Sequence, residues 1–427
     1  MKKPKLSQIE NAFLPAKEIT DSERFAGRKV AVVNSFYALI AEGSNIAIVG
    51  NRGIGKTSLA RQITNIGAGD SSILEKLDIP NDEQFDFLTV YMACGKQVRS
   101  TDELLERLLT STNCLAKWIY EIPNAKKVMV NYNPKFSAKV LGVGVELAGS
   151  KTSEVTTSPV MSEHQVDIVF TNVVDAIIKA DVAKNGILLV IDEFDQIADP
   201  SGFASFLKAL ATNVPKVKFC VVGVAKDIQM LMKEHESTDR LFAGSIISMD
   251  PMNSNELENI IDNAEKYIDR YITFDNNARD RIVQLANGHP YMVHLIGKFS
   301  LRAAFEENVY IITDSHINKT LSSIAEQKAD PVLEGKYRKA VASSSQRETV
   351  LRAMAAAQDK HNEIWTSNAY KIALDAGVDN SSQYVGQLVA EEYGAELEKL
   401  RERYYRFKDS LFHSYVLARP RMYSEQD

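Results

Sequence analysis

The sequence predicts an α/β fold in which a parallel sheet covered by helices is followed by mainly helical segments. Three observations support this prediction. Short apolar runs alternate with helical stretches up to about residue 250, a glycine-rich motif separates the first run from a helix, and the pattern becomes helical after Pro251. Strands that alternate with helices are typical of parallel sheets buried on both faces.

Length, charge and residue composition exclude several classes of protein. The 427 residues suffice for about two to four domains. A net charge of −6 argues against coating nucleic acid by bulk charge, although a local basic patch remains possible. The three cysteines suggest no disulfide framework, and the seven histidines show no metal-ligand spacing. Without a signal peptide or an apolar stretch of membrane-spanning length, we expect a cytoplasmic protein with no membrane contact.

The elements of the sheet follow in order along the chain. Residues 1–20 are polar and predict a loose N-terminal arm. A helix is expected over Ser22 to Leu39, with an apolar face at Val30, Val33, Phe36 and Leu39. Apolar runs predict five buried strands, with helices at Lys56 to Ile63, Asp102 to Leu115 and Val166 to Ala183 between them. The runs are Asn45 to Gly50, Phe85 to Met92, Ile187 to Ile191, Val217 to Val224, and a last one around Ile246 and Ile247.

Residues 123–162 interrupt this rhythm and are interpreted as an insertion. Phe136 to Ala148 is rich in Val and Gly and predicts one or two strands, whereas the Ser/Thr-rich Gly149 to Ser162 predicts a mobile loop. Four lysines in the insertion either line a basic surface or form an ordinary solvated face. They are Lys126, Lys127, Lys135 and Lys139.

The glycine-rich segment fits the P-loop pattern G-x-x-x-x-G-K-[ST] in full, between a strand and a helix. Its backbone N–H groups and the helix N-terminus supply partial positive charge for phosphates. We expect Lys56 to reach the β- and γ-phosphates of ATP and Thr57 to ligate Mg²⁺. The predicted nucleotide-binding residues are Gly50, Asn51, Arg52, Gly53, Ile54, Gly55, Lys56, Thr57 and Ser58.

The apolar run Ile187 to Ile191 delivers two carboxylates, Asp192 and Glu193, to the end of a strand. Asp192 there can hold Mg²⁺ through water. Glu193 can orient or deprotonate the attacking water in phosphoryl transfer. Such a run is weak evidence alone, but with a P-loop upstream it predicts the second half of a nucleotide site.

The paired motifs resemble the AAA+ and STAND branch of P-loop ATPases, in particular archaeal and bacterial ATPases related to origin-recognition initiators. Further segments carry this resemblance over about residues 21–420. Arg24 to Arg28 matches a Gly-Arg element that borders adenine, which implies roles for Phe25 and Arg28. Gly288-His289-Pro290 resembles the lid turn, in which Pro290 packs near the base. Tyr404 to Phe412 resembles the wing and closing helix of a winged-helix domain.

The resemblance implies a fold and the boundaries of its domains. We expect an AAA+-like P-loop core with strand order 5-1-4-3-2, a helical lid and a C-terminal winged-helix domain. The predicted regions are the arm 1–20, the core 21–250 with its insertion at about 123–162, the lid 251–335 and the winged helix 336–427.

Three positions in the resemblance stay open. Lys226 stands where these ATPases place a polar sensor, so it either contacts the γ-phosphate or is a solvated lysine. Arg240, in the segment His235 to Arg240, is either an arginine finger presented to a neighbouring subunit or a surface arginine. The lid lacks the usual sensor arginine, and His289 there is a sensor or a structural residue. Slow hydrolysis is therefore plausible, with catalytic roles expected for Glu193, Lys56 and Arg240.

The C-terminal region predicts three helices, Gln346 to Ala356, Thr366 to Ala376 and Asn380 to Ala390, with helix-turn-helix spacing. The predicted wing, Leu397 to Lys408, is basic enough to lie on phosphates of duplex DNA. The region as a whole is nearly neutral, however, and its third helix has no arginine to read a base. A winged helix can equally serve protein packing. The basic residues of the wing are Lys399, Arg401, Arg403, Arg406 and Lys408.

Two functions fit these features. The first is a Mg²⁺-dependent ATPase that acts as a nucleotide-driven switch on duplex DNA. The alternative is a STAND-type signalling or defence switch, in which the winged helix and the insertion bind a separately encoded protein partner. Either function allows a homo-oligomer that forms when ATP binds.

Overall fold

The computed structural model describes residues 3–95, 98–132, 166–224 and 238–423. Within these ranges, no helix has the length and apolarity required to cross a membrane. The strands are β1 Ile46–Gly50, β2 Phe87–Ala93, β3 Gly186–Asp192, β4 Val217–Gly223, β5 Ile246–Met249, β6 Thr273–Phe274, β7 Ile311–Ile312, β8 Ile364–Trp365, β9 Leu397–Arg401 and β10 Tyr404–Phe407. The helices are α1 Leu6–Ala12, α2 Lys29–Ile40, α3 Lys56–Gly67, α4 Ser72–Lys76, α5 Thr101–Thr110, α6 Ala116–Glu121, α7 Pro123–Tyr132, α8 Val166–Lys179, α9 Phe203–Asn213, α10 Thr238–Leu241, α11 Ser254–Tyr267, α12 Asn276–Ala286, α13 Pro290–Glu306, α14 Asp314–Glu326, α15 Pro331–Val341, α16 Ser345–Ala356, α17 Thr366–Asp375, α18 Ser381–Val389 and α19 Ser410–Ala418.

The first five strands form one parallel sheet in the order β2-β3-β4-β1-β5. This is the order 5-1-4-3-2, so the expectation drawn from the family resemblance is confirmed. All seven residues of β3 are buried, because apolar strands in the middle of such a sheet are covered on both faces. The carboxyl ends of parallel strands meet at one edge, which places the end of β3 on the same edge as the loop that follows β1.

The chain divides into two compact units. The sheet unit comprises residues 29–50 and 56–249, and the helical unit comprises residues 1–28, 51–55 and 250–427. The predicted limit of the core at residue 250 lies at the join between them. The predicted limit between lid and winged helix, at residues 335 and 336, lies inside α15, so one helix continues across it.

The N-terminal segment is not the loose arm that its polar composition predicts. Residues Leu6–Ala12 form α1, and Ile9, Ala12 and Phe13 are buried in the core of the helical unit. The Phe13 ring lies edge-on to Phe274, with 6.0 Å between ring centroids. The prediction was wrong because three apolar residues at helical spacing sit within an otherwise polar segment.

The next helix begins later than the sequence predicts. Ser22–Arg24 is a single 3-10 turn, and α2 starts at Lys29. Gly27 and Arg28 adopt φ values of 59° and 62°, a left-handed conformation that a right-handed helix cannot continue through. With this start, Val30 is 73% exposed rather than on the buried face, which includes Ala31, Val32 and Phe36.

The predicted insertion begins with regular structure. Residues Pro123–Tyr132 form α7, which buries Ala125 and Met129 in the core of the sheet unit. The expected strands at Phe136 to Ala148 and the expected loop at Gly149 to Ser162 lie outside the described residues, as do Lys135 and Lys139.

The C-terminal elements follow the predicted sequence of helices and hairpin. Helices α16, α17 and α18 are succeeded by the strands β9 and β10, and then by α19. Strand β10 pairs antiparallel with both β8 and β9, which gives a three-stranded sheet in the order β8-β10-β9. Gly377 adopts φ 84° in the break between α17 and α18, a backbone conformation that favours glycine.

Candidate functional site: a P-loop and the acidic end of a strand

The P-loop connects β1 to α3. Strand β1 ends at Gly50 and α3 begins at Lys56, so the loop has the expected strand–loop–helix setting. Gly53 and Gly55 have φ values of 73° and 101°, which L side chains rarely adopt. At Gly53 space is limited as well, because a Cβ there would lie 3.1 Å from Leu411 Cδ2 and 3.4 Å from Tyr291 Cβ.

Lys56 lies in a field of carboxylates. Its Nζ donates a hydrogen bond to the Gly50 carbonyl at 2.9 Å. Burial lowers the pKa of Lys56, and the negative charges of Asp195, Asp192 and Glu193 oppose that shift. Thr57 and Ser58 follow in the first turn of α3, and both are partly exposed. A cation and oxygen ligands are thus assembled at one place, which suits a phosphate group and a hard metal ion.

Asp192 is held in place at the end of β3 and is only 3% exposed. Its Oδ1 accepts the Glu193 N–H at 2.8 Å, and its Oδ2 accepts the Tyr91 hydroxyl. Each carboxylate oxygen can accept more than one bond, so both partners leave capacity for a water or a metal-bound ligand.

The residues that support Asp192 were not predicted. Tyr91 lies opposite Val190 in the register of β2 and β3, and side chains two residues apart share a face, so Tyr91 reaches Asp192. The Arg61 guanidinium, from α3, lies 3.4 Å from the centroid of the Tyr91 ring. Helix α3 is therefore linked to Asp192 through one tyrosine. Strand register, which one sequence does not specify, is the information needed to find this support.

Glu193 occupies an unusual backbone conformation. It has φ 55° and ψ 38°, in the left-handed region, and precedes the 3-10 turn Phe194–Gln196. Its side chain is exposed, whereas Asp192 before it and Phe194 after it are buried. The turn thus presents one of two adjacent carboxylates to solvent and keeps the other fixed.

Asp195 is a third carboxylate at this edge that the sequence analysis did not single out. A Cβ at Gly223, the last residue of β4, would lie 3.1 Å from Asp195 Oδ1, so glycine leaves room for this side chain. Gln196 Nε2 donates to Asp195 Oδ2 at 2.9 Å. The spacing of Asp192 and Asp195 could have indicated this, because residues three apart lie on the same side of a 3-10 turn.

Arg28 and Phe25 are buried rather than open to a ligand, being 9% and 4% exposed. Arg28 Nη2 donates to the Ile54 carbonyl at 2.9 Å, and Nη1 donates to the Asp250 carbonyl at 2.5 Å. Burial lowers the pKa of Arg28, and the carboxylates of Glu256 and Asp250 oppose that shift. The Arg28 side chain therefore contacts the P-loop itself in this structure.

The turn Gly288-His289-Pro290 starts helix α13, with Pro290 at its first position. Gly288 has φ 83°, and a Cβ there would lie 2.4 Å from Pro251 Cβ. A Cβ on Gly55 of the P-loop would lie 4.0 Å from Pro290 Cγ.

His289 is 1% exposed, and burial lowers its pKa to about 4, so the ring is neutral at pH 7. Within the described residues, its Nδ1 has no hydrogen-bond partner.

The structure says less about Arg240 and Lys226, the two remaining candidate site residues. Arg240 is exposed on the short helix α10, between β4 and β5. Lys226 and residues 235–237 lie outside the described residues, so their predicted roles stay predictions.

The donor set fits a nucleotide with Mg²⁺. Among the described residues, no group of three His, Cys, Asp or Glu side chains forms a metal site of its own. Mg²⁺ commonly takes one or two carboxylates and completes its shell with water and phosphate oxygens. Thr57 and Asp192, beside a P-loop lysine, offer the kind of partial site that such an ion occupies.

The sheet order and this P-loop define a P-loop NTPase of the AAA+ and STAND branch, as the motifs predicted. The sequence matches the family described as Novel STAND NTPase 1, nSTAND1, over residues 14–391. The chain therefore belongs to the novel STAND NTPase 1 family. No curated protein sequence matches it at a significant level.

Solved structures are similar in fold at low identity. The Walker-type ATPase PABY2304 of Pyrococcus abyssi matches with TM-score 0.51 and 14% identity, over 94% of this chain and 98% of that chain. ORC2 of Aeropyrum pernix, in ADPNP-ADP complexes, gives TM-score 0.48 and 13% identity, over 97% of both chains. Cdc6p of Pyrobaculum aerophilum gives 0.45 and 11%, over 98% of both chains. The first likeness establishes a Walker-type ATPase fold.

Proposed function

We propose that this protein binds and slowly hydrolyses ATP with Mg²⁺ and that the nucleotide state switches its activity towards a partner. The observation that carries the proposal is the P-loop lysine, Lys56, in the field of Asp192, Glu193 and Asp195. Membership of an NTPase family supports the same conclusion.

Each residue has a distinct role in this proposal. Lys56 leaves the Gly50 carbonyl and donates to the β- and γ-phosphates, with the backbone N–H groups of the P-loop. Thr57 and Asp192 hold Mg²⁺, directly and through water. When bound, Mg²⁺ would neutralise negative charge on the phosphates. Glu193, being exposed beside a fixed Asp192, orients a water and accepts its proton.

Arg240 is proposed to act between copies of this chain. Its exposed position on α10 suits a guanidinium that reaches the γ-phosphate bound by a neighbour. Hydrolysis per molecule would then rise with protein concentration, and Arg240→Ala would abolish that rise. Equal rates for wild type and variant at every concentration would exclude a role between subunits.

For the partner, we favour a protein over duplex DNA. We assign α16 to α19 and the β9–β10 hairpin to a winged helix. Two basic side chains of its wing are already paired, since Arg401 binds Glu363 at 2.8 and 2.5 Å and Arg406 binds Glu398. Helix α18, in the position of a recognition helix, carries no charged residue. A helix without charge suits a protein surface better than a phosphate backbone.

DNA association stays the second candidate, on one observation. Lys399, Arg403 and Lys408 are exposed on the wing. If they contact phosphates, affinity for duplex DNA falls steeply with salt. Fluorescence anisotropy of a labelled duplex at two salt concentrations, with the triple Lys399→Gln, Arg403→Gln, Lys408→Gln variant as control, separates the candidates. Salt-sensitive binding that the triple variant loses would establish DNA contact.

The proposed activity is tested by ATP binding and steady-state phosphate release with Mg²⁺. Lys56→Ala should lose binding. Glu193→Gln should keep binding and lower turnover by at least about 100-fold, because proton transfer contributes 10²–10⁴-fold. Glu103→Gln is the matched control, as this carboxylate lies on α5 and pairs with Arg107 on the same helix. Wild-type protein that binds no nucleotide with Mg²⁺ would disprove the proposal.

A further inference from the structure

Arg28 joins three separate segments of the helical unit. Its guanidinium donates to the Ile54 carbonyl in the P-loop at 2.9 Å and to the Asp250 carbonyl. Its backbone N–H donates to Glu256 Oε1 at 2.6 Å. Glu256 in turn closes a capping box with Asn253 at the start of α11. One residue thus fixes the P-loop to the chain entering the lid helices.

The surroundings hold Arg28 in this role. Gly27 has no space for a side chain, since a Cβ there would lie 2.6 Å from Glu256 Cγ. Arg28 itself has φ 62°, in the left-handed region that L residues other than glycine rarely adopt. Arg28 therefore adopts a backbone conformation that its residue type disfavours. In this conformation its side chain is buried.

The contact with Ile54 has a specific consequence for the P-loop. The peptide between Ile54 and Gly55 is trans, as are the other described peptides. In a trans peptide, the C=O and the following N–H point in opposite directions. With its carbonyl held by Arg28, the peptide turns the Gly55 N–H to the other side of the loop. Glycine at 55 would otherwise let this peptide plane rotate freely.

We propose that Arg28 is a positioning residue that aims the Gly55 N–H at the nucleotide phosphates by holding the Ile54 carbonyl. This inference rests on the proposed nucleotide site and deepens it. It differs from the role that the family resemblance implies, in which the Gly-Arg element borders adenine. The two roles make different predictions, because a phosphate contact is common to all nucleoside triphosphates and a base contact is not.

The test compares wild type with Arg28→Gly, a residue that fits the left-handed backbone. Calorimetric titration with Mg²⁺-ATP, Mg²⁺-GTP and Mg²⁺-ADP measures affinity. We expect all three affinities to fall by about 10–100-fold, as for a lost charge-assisted hydrogen bond, with the ATP to GTP ratio unchanged. Free guanidinium at low millimolar concentration should partly restore binding. A changed ATP to GTP ratio, or undiminished affinity, would overturn the inference.

A matched control separates positioning from loss of structure. Arg24 lies in the same segment, donates to the Asn11 and Ala12 carbonyls and stacks on Tyr267 at 4.6 Å. Arg24→Ala should leave nucleotide affinity within about threefold of wild type. A loss equal to that of Arg28→Gly would mean that Arg28 acts only through general stability.

One measurement requires no nucleotide. Amide hydrogen exchange of a peptide covering residues 51–58 should be faster in nucleotide-free Arg28→Gly than in wild type, since the loop loses its anchor. If wild type binds no nucleotide, the proposed function is wrong. The hydrogen-exchange measurement then still tests whether Arg28 holds the P-loop. Identical exchange in both proteins would show that Arg28 does not hold the loop.

Discussion

The two units differ in how much charge they bury. Among the described Asp, Glu, Lys and Arg residues, Asp192 and Lys218 are buried in the sheet unit, and those buried in the helical unit are Arg28, Glu265, Glu334, Arg347, Glu348, Glu396 and Arg419. In the sheet unit, a buried lysine, Lys218, donates to backbone carbonyls at the end of α2. Its Nζ lies 3.2 Å from the Ala38 oxygen and 3.0 Å from the Ser44 oxygen, with a third bond to Ala41. These acceptors lie in the last turn of α2 and in the segment that follows it, and a cation near a helix C-terminus is favoured by the helix dipole.

In the helical unit, buried carboxylates bind side chains of other helices. Glu334, 1% exposed, accepts from Arg419 at 2.9 and 3.0 Å and from the Tyr415 hydroxyl at 2.8 Å. Glu348 accepts the Tyr337 hydroxyl and the backbone N–H groups of 422 and 423. The comparison shows that most of the buried charge lies in the helical unit, where carboxylates join one helix to another.

The largest effect on stability is expected when the buried carboxylate of Glu334 is removed. Glu334→Ala leaves Arg419 buried without its carboxylate, so we expect a loss of about 3–5 kcal/mol in the free energy of unfolding. Each unit has one tryptophan, Trp118 in the sheet unit and Trp365 in the helical unit, so urea unfolding of a Trp118→Phe background reports the helical unit alone.

The control for this variant is an exposed pair in the same unit. Glu398→Ala breaks an ion pair with Arg406 in which both side chains are at least one-third exposed, so the expected loss is about 0–1 kcal/mol. Similar losses for the two variants would contradict the view that buried carboxylates hold this unit together.

Acid should weaken the helical unit first. Burial lowers the pKa of His289 from 6.5 to about 4, so between those values the unfolded chain binds a proton that the folded chain does not. Stability is therefore complete above pH 6.5 and falls towards pH 4, by about 3 kcal/mol for this group. Every histidine that the structure describes lies in the helical unit. Thermal unfolding between pH 7 and 4 should lower the midpoint reported by Trp365 more than that reported by Trp118.

His289→Gln is the control for the acid effect, because it removes the titrating group from the same turn. The variant should show a shallower pH dependence in the helical unit. An unchanged slope would assign the acid sensitivity to other groups, such as His413, whose pKa burial also lowers.

The smallest effect is expected in the sheet unit. Lys218→Met removes the donor shared by three carbonyls and should cost about 1–3 kcal/mol. Burial lowers the pKa of Lys218 to about 8, so the stability of the sheet unit should rise between pH 8 and 10.5, and the variant should lose that rise. Lys216→Met, at an exposed lysine two residues earlier, should change stability by less than about 0.5 kcal/mol. Trp118 fluorescence in a Trp365→Phe background checks both.

Much of the sheet unit could be predicted because its signals are contiguous. Apolar runs such as Ile187 to Ile191 specify strands, and a full P-loop pattern specifies the turn between β1 and α3. The three helices predicted in the C-terminal region, α16 to α18, also lie within a residue or so of their predicted bounds. These features depend on neighbours in sequence, which a single chain displays directly.

The rest depends on contacts across long sequence separations. The resemblance places Arg28 beside adenine, which stays a prediction, but the carbonyl acceptors of its guanidinium lie 26 and 222 residues away and were not foreseen. Tyr91 supports Asp192 from 101 residues away, through a register that composition does not encode. The buried face of α1 was missed because its partners are in α13. Local patterns cannot identify such partners.

The left-handed conformation of Glu193 has a consequence for the stability of this protein. Glycine would relieve about 1–2 kcal/mol of backbone strain at φ 55°, so selection for stability alone would favour it there. If Glu193 has the catalytic role proposed above, a glutamate at this position lowers stability but provides activity. Glu193→Gly should therefore yield a hardier protein that has lost turnover, a combination that marks sites maintained by activity rather than by folding.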